Sequence, residues 1–158
     1  MKSFFIFQIN WSALSLRKLL LSMFLLLALS ASAFTPTCFR INVIRMNPMA
    51  YPSREVSYGY MLSLKNDSVN LYLPYMGRAY QLPYGGGDGL NFKEPIKNFK
   101  YKTTKRGGYK ISFETRHEQE IYKFNIVIYP ETGSASIDVT PNQRQQISYD
   151  ARLESGEK

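Results

Sequence analysis

The chain has 158 residues, and its 20 Lys and Arg against 12 Asp and Glu give a formal net charge of +8. Its single cysteine, Cys38, excludes an intrachain disulfide. Three of the positive charges lie in an apolar leader that has no acidic residue, so the rest of the chain carries 8 − 3 = +5. That charge favours solubility and does not by itself indicate nucleic-acid binding.

Residues 1–33 have the pattern of an export signal. Arg17 and Lys18 precede an apolar run over residues 19–29, and residues 31–33 (Ala-Ser-Ala) fit a cleavage site. The run is short for a bilayer span, which needs about 20 residues. The pattern predicts cleavage after Ala33 and export to the periplasm or cell envelope, with an uncleaved anchor as the alternative.

Cleavage leaves 158 − 33 = 125 residues, a length that suits one domain. Residues 34–55 form an N-terminal segment with one short predicted strand at 41–45. Cys38 is expected to be an unpaired thiol in this segment, although pairing between chains stays open in an oxidising compartment.

Alternating apolar and polar residues predict a hairpin over residues 56–73, with its turn at Lys65-Asn66-Asp67-Ser68. One face of its first strand would consist of Tyr58, Tyr60, Leu62 and Leu64. Pro74 ends the second strand because proline has no N–H to donate to a ladder.

Residues 73–92 (LPYMGRAYQLPYGGGDGLNF) break the alternation and are the most distinctive stretch of the chain. A phosphate-binding loop would need a helix after the glycines and usually a Gly-Lys-Ser/Thr ending. Asp88 stands inside this glycine run, and a strand is predicted after it. A flexible or sharply turning loop is the better interpretation.

Period-2 alternation returns after this loop and predicts six more strands, with a polar turn at residues 117–119 and a polar tail at 154–158. Only residues 142–146 leave room for a turn of helix. The predicted fold is all-β, a single antiparallel sandwich or small barrel of about eight or nine strands. The six strands are 90–93, 98–104, 109–115, 120–129, 135–139 and 147–153.

The recognisable motifs are Leu73-Pro74-Tyr75, Gly77-Arg78-Ala79-Tyr80, Pro83 with the glycines and Leu90-Asn91-Phe92, residues 133–139, and residues 142–149 with Arg144 and Ile147-Ser148-Tyr149. With these motifs the chain resembles a bacterial family known only as domain of unknown function 4251, common in gut Bacteroidota. The resemblance covers about residues 56–153, the expected all-β domain. It implies a small exported or envelope-facing domain and transfers no activity and no catalytic residue.

Arg78 lies between two small residues, so its guanidinium has room to reach a partner. It could clamp a carboxylate or another anion, with Tyr75, Tyr80 and Tyr84 as an aromatic wall. The alternative, which we favour, is an internal prop that hydrogen-bonds loop carbonyls or pairs with an aspartate, Asp88 or Asp150.

Arg144 and Tyr149 form a second candidate cluster, which bears on function only if the fold brings it beside Arg78. Its structural alternative, again favoured, is a corner interaction that fixes the last strand. The ligand-binding candidates are therefore Tyr75, Arg78, Tyr80, Tyr84, Arg144 and Tyr149.

The sequence offers no catalytic or metal-binding set. His117 is the only histidine and falls in a predicted turn, where a solvated residue is expected. The pattern places Glu114, Glu118 and Glu120 at solvent-facing or turn positions, so no paired carboxylates are expected. No nucleophile elbow occurs, and no cofactor is implied.

These observations favour a non-catalytic envelope binding domain that uses the loop at 73–92 to hold a small ligand or a partner segment. The alternative is a structural or accessory subunit of an envelope assembly, and a hydrolase is the weakest hypothesis. The expected partner is a small ligand or an envelope protein, not nucleic acid. Membrane contact is expected only through the leader.

Overall fold

The computed structural model describes residues 34–80 and 89–154, and every regular element in these two stretches is a β-strand. The strands are β1 (Cys38–Pro48), β2 (Arg54–Glu55), β3 (Met61–Lys65), β4 (Ser68–Leu73), β5 (Leu90–Thr103), β6 (Tyr109–His117), β7 (Glu120–Tyr129), β8 (Ser134–Pro141) and β9 (Ile147–Leu153).

The nine strands form one antiparallel sheet in the order β2-β1-β3-β4-β5-β6-β7-β8-β9, and β1 also pairs with β9. The first half of β1 pairs with β3, from Cys38↔Lys65 to Asn42↔Met61. Its second half pairs with β9 and reaches Pro48↔Ile147. Eight strands therefore close into a barrel, and β2 is a short addition to β1. The prediction of an all-β fold is confirmed, in its barrel form.

Side chains that alternate along each strand fill the interior of the barrel. On β7 every second side chain points inward, and Phe124, Ile126 and Ile128 are almost completely buried. Phe124 stacks on Phe113 of β6, with ring centroids 4.9 Å apart. An eight-stranded barrel is just wide enough for its own side chains to fill. The described core accordingly consists of large aliphatic and aromatic residues from every strand but β2.

Two strands are longer than the sequence predicted. β1 has 11 residues instead of the expected 41–45, because it must reach both β3 and β9. β5 is a single strand of 14 residues, where two strands were expected. The predicted gap at residues 94–97 contains Pro95, which lies at the last pair with β4, Ser68↔Pro95. A bulge between Lys97 and Lys100 then carries the strand onward.

Two other expectations are wrong. β3 begins only at Met61, and Tyr58, predicted on the same face as Leu62, is completely exposed, whereas Leu62 is buried. The backbone turns before Met61, since Gly59 has a left-handed φ of 115°, and the alternation therefore stops there. Residues 142–146, the one stretch with room for a turn of helix, form none, because their peptide groups bond to Ile121 of β7 and to residues 78–80 instead.

We expect burial on β7 to decide the cost of losing an isoleucine. Ile126 is 0% exposed, so Ile126→Ala should lower the free energy of unfolding by about 2–5 kcal/mol through lost burial and a cavity. Ile121, on the same strand, is 39% exposed, and Ile121→Ala should cost about 1 kcal/mol or less. Urea denaturation of both variants measures the difference, and equal losses would contradict the filled interior.

Candidate functional site

Two loops meet at the end of the barrel where β4 and β8 end and where β7 and β9 begin. Residues 78–80 lie antiparallel to residues 143–145, with a β-bridge between Ala79 and Arg144. The Tyr80 N–H donates to the Gln143 carbonyl at 2.8 Å, and the Gln145 N–H donates to the Arg78 carbonyl at 2.9 Å. We call residues 78–80 and 143–145 the bridged loops.

Two tyrosine hydroxyls fasten the bridged loops to the barrel. The Tyr75 hydroxyl donates to the Gln145 carbonyl at 2.7 Å, and the Tyr149 hydroxyl of β9 donates to the Pro74 carbonyl at 2.8 Å. Burial raises the pKa of Tyr75 to about 12 and also raises the pKa of Tyr149. Both phenols are therefore neutral donors at ordinary pH, the opposite of an activated nucleophile.

Glycine is required at two places in this region. A Cβ on Gly77 would lie 2.6 Å from the Tyr75 hydroxyl oxygen. Gly89 has a left-handed φ of 66°, and a Cβ there would lie 2.6 Å from the Leu73 carbonyl oxygen. The small residues of the motif therefore let the chain pass close to β4 and to the Tyr75 ring.

A buried ion pair lies beneath the bridged loops. The Arg144 Nε donates to Glu120 Oε2 at 2.9 Å, and the two side chains are only 13% and 8% exposed. The Tyr122 hydroxyl donates to the same oxygen at 2.6 Å. Burial, followed by this hydrogen bond to Glu120, raises the pKa of Tyr122, so the phenol stays a donor.

The Glu120 charge depends on these two donors. Its other oxygen, Oε1, is buried and accepts no hydrogen bond from the described residues. The guanidinium carbon of Arg144 lies 5.6 Å from the centre of the Tyr75 ring, which adds a cation–π contact. Removing either partner of such a buried pair leaves an uncompensated charge, which is strongly destabilising.

The structure separates the predicted site residues into two groups. Tyr75, Arg144 and Tyr149 are brought together and serve as internal supports. Arg78 and Tyr80 project from the bridged loops as exposed side chains, Tyr80 with 69% exposure. Tyr84 and Asp88 lie outside the described residues.

The sequence analysis favoured Arg78 as the arginine that supports the loops from within. In the structure Arg144 has this supporting role. The ion pairs found among residues 34–80 and 89–154 include Arg144 with Glu120 but not Arg78 with Asp150. The contacts of Arg78 with Gln145 come from its backbone, whose N–H donates to Gln145 Oε1 at 3.3 Å. The fold does bring Arg144 beside Arg78, which was the condition for the cluster of Arg144 and Tyr149 to bear on function.

Sequence reasoning missed Glu120 and Tyr122. Glu120 was placed at a turn or in solvent, but it is the first residue of β7 and is buried. The sequence did contain a signal for this burial. Glu120 stands two residues before Tyr122, and alternate side chains of a strand point to the same face, so Glu120 also points inward. A carboxylate at an inward position needs a cation, and Arg144 supplies it.

The expectation of a solvated His117 is also wrong. His117 is the last residue of β6 and is half-buried, and its ring stacks on Phe92 with centroids 4.5 Å apart. Its Nδ1 lies 3.0 Å from Glu94 Oε1. The Phe92 ring on one face of the imidazole and the Glu94 contact at its edge explain the partial burial.

The described part of the chain contains no group of three or more His, Cys, Asp or Glu placed to hold a metal ion. Among the same residues, no helix is both long and apolar enough to span a membrane.

A family model described as "Domain of unknown function (DUF4251)" matches residues 31–153. The chain belongs to this family. The resemblance inferred from the loop motifs is therefore confirmed. No curated protein matches the DUF4251 chain.

The DUF4251 chain is also similar to a solved structure, the crystal structure of a DUF4251 family protein from Bacteroides eggerthii DSM 20697. The TM-score is 0.57 at 14% sequence identity, and the alignment covers 75% of this chain and 79% of that one. At this identity the likeness supports the fold alone.

The buried pair can be tested against an exposed pair of the same geometry. Arg40 Nε lies 2.9 Å from Glu154 Oε2, but these side chains are 52% and 38% exposed. We expect Arg144→Met to lower the free energy of unfolding by about 3–5 kcal/mol, because Glu120 stays buried without its cation.

The matched variant Arg40→Met should lower it by about 1 kcal/mol or less, because water screens an exposed pair. Denaturant unfolding at neutral pH measures both values. Similar losses in the two variants would show that burial of Glu120 does not govern this region.

Tyr75 also predicts a dependence of stability on alkaline pH. Its pKa is about 12 in the folded protein against an ordinary value of 10.0, so between these values the folded state keeps a proton that the unfolded state releases. Its contribution is complete below pH 10 and is lost as the pH rises towards 12. Denaturant unfolding across this range should give a flatter curve for Tyr75→Phe than for the wild type, and parallel curves would contradict the assignment.

Proposed function

We propose that the protein is a non-catalytic, exported binding domain that holds a segment of a partner protein of the cell envelope. The recognition surface is formed by the exposed side chains of Arg78 and Tyr80 on the bridged loops, which we call the Arg78–Tyr80 face. The leader at residues 1–33 would direct export.

The observation that carries the proposal is the contrast between this exposed face and its support. Two interstrand hydrogen bonds hold residues 78–80, and the Tyr75 and Tyr149 hydroxyls hold the flanking backbone. Loops that carry function are typically displayed by a rigid scaffold. The buried Arg144–Glu120 pair stiffens this scaffold, and it leaves the nearby Arg78 side chain at the surface.

The chemistry of the face suits a polypeptide partner with a carboxylate. An arginine can donate two parallel N–H hydrogen bonds to one carboxylate, and an exposed tyrosine adds rigid, amphipathic contact area. Arg and Tyr are the residue types that most often dominate binding energy at protein interfaces. A small apolar ligand held inside the barrel has less support, because the described interior is occupied by side chains.

The neutral phenols and the pairing of Arg144 with Glu120 favour binding over catalysis, and the proposed domain uses no cofactor. The alternative function is a structural or accessory subunit of an envelope assembly. One observation favours it: the same bridged loops close one end of the barrel, and their motif residues could be kept for that purpose alone.

Crosslinking in the cells that produce the protein distinguishes the two functions. The double variant Arg78→Ala/Tyr80→Ala should reduce recovery of the crosslinked partner by roughly ten-fold or more, as for loss of interface hot spots. The control Arg54→Ala/Tyr58→Ala removes the same residue types from exposed positions outside the bridged loops and should recover the partner as the wild type does.

Melting temperatures accompany the comparison. If Arg78→Ala/Tyr80→Ala lowers stability while every crosslinked partner is recovered unchanged, the loops are structural and the proposed function is wrong.

A further inference from the structure

The outer half of β5 has an open edge. On its β4 side, β5 is paired only as far as Ser68↔Pro95, and the Ile96 N–H donates to the Asp67 carbonyl at the tip of the β3–β4 hairpin. β5 continues to Thr103, paired with β6 on the other side. Among the described residues, no strand pairs with residues 97–103 on the β4 side.

The free peptide groups on this edge can be assigned. The Thr104 N–H donates to the Gly108 carbonyl across the β5–β6 hairpin, so residue 104 points toward β6. Peptide groups alternate in direction along an antiparallel strand. Thr103 and Tyr101 therefore direct their N–H and C=O groups away from β6, where an added strand would find donors and acceptors in register.

The two faces of the edge differ in chemistry. Lys100 and Lys102 lie opposite Ser112 and Lys110 on the outer face of the sheet. Tyr101 lies opposite the buried Ile111 on the inner face, yet it is 54% exposed, because no strand in residues 34–80 or 89–154 pairs with β5 on that side. An added strand would therefore meet lysines on one face and an aromatic ring on the other.

The charge of the hairpin is strongly positive. Its only carboxylate between residues 97 and 114 is Glu114, which already accepts from Asn98 Nδ2 at 2.9 Å and lies 3.7 Å from Lys123 Nζ. The cationic side chains in the same stretch are Lys97, Lys100, Lys102, Lys105, Arg106 and Lys110.

We propose that residues 97–103 of β5 are a docking edge for an acidic, extended segment of another protein, which adds to the sheet as a strand. The segment alternates acidic residues, beside Lys100 and Lys102, with apolar residues beside Tyr101. Backbone hydrogen bonds supply affinity in this mode of recognition, and side chains at alternate positions supply specificity.

A second copy of the chain is a poorer occupant. Two β5 edges paired with each other would bring lysines against lysines, and like charges on neighbouring strands are destabilising. Lysines on an edge strand are also a known protection against self-association. An acidic strand turns the same charges into attraction. This inference rests on β5 alone and is independent of the Arg78–Tyr80 face.

A proline substitution tests the edge selectively. Thr103→Pro removes an N–H that points away from β6, so the β5–β6 hairpin keeps its bonds while the docking edge loses a donor and gains a ring. Thr103→Ala is the matched control, because it also loses the hydroxyl but keeps the N–H. Melting temperatures of the two full-length variants show whether the fold is retained.

The probe is a fluorescein-labelled peptide of alternating glutamate and valine, about seven residues long, so that it covers the regular stretch after the bulge, residues 100–103, and extends past both of its ends. Fluorescence anisotropy at low salt should show binding to the wild type and to Thr103→Ala. Binding to Thr103→Pro should be weaker by roughly ten-fold or more. Hydrogen exchange of the Tyr101 and Thr103 amides should slow when the peptide is bound.

Charge is tested with Lys100→Glu/Lys102→Glu against Lys65→Glu/Lys93→Glu, which changes net charge equally at exposed lysines outside the open edge, on β3 and on the part of β5 that pairs with β4. Only the first pair should weaken binding. Absence of peptide binding, or equal binding by Thr103→Pro and Thr103→Ala, would overturn the proposal. The proposal would also be overturned if heparin or anionic phospholipid vesicles bound more tightly than the peptide and bound equally well to Thr103→Pro. The surface would then recognise charge and not a strand.

Discussion

The pairing of β1 with both β3 and β9 is the constraint on which the rest of the structure depends. It converts an antiparallel sheet into a closed barrel, and it requires β1 to span the register of two neighbours with a bulge between Val43 and Arg45. Closure fixes which side chains point inward, and eight strands leave room for little besides those side chains. Recognition by this protein is therefore expected at the ends and edges of the barrel.

The end that carries the bridged loops departs from the simple pattern of an apolar interior. Glu120 is an inward-facing carboxylate, and burying a charge is costly unless it is paired and hydrogen-bonded. Arg144 and Tyr122 compensate it, and the backbone around Arg144 then holds residues 78–80. A buried charge, two buried phenols and two obligatory glycines thus support one short exposed segment, a concentration of constraints that is typical of functional regions.

The class of fold could be predicted because alternation is a local property, and β7 shows it most clearly in Tyr122, Phe124, Ile126 and Ile128. Barrel closure could not, because it depends on a long-range pairing between β1 and β9 that leaves no local signal. The continuity of β5 could not be predicted either, because the sequence does not reveal that β4 begins opposite Pro95 while β6 continues to pair with β5 beyond the bulge. The sequence placed Tyr75 and the pair of Arg144 and Tyr149 in two separate candidate clusters, and only the long-range pairing of residues 78–80 with 143–145 brings them together. The burial of Glu120 was missed because its charge was taken to indicate exposure, although its position in the alternation of β7 indicated the inner face.

Native mass spectrometry of the full-length protein purified from the cells that make it tests the central claim most directly. A filled barrel that recognises a polypeptide at its surface predicts the mass of the chain alone or of the chain with a second polypeptide. A small-molecule mass excess that persists in the native state and disappears on denaturation would contradict the account, because the barrel would then enclose a ligand in its interior.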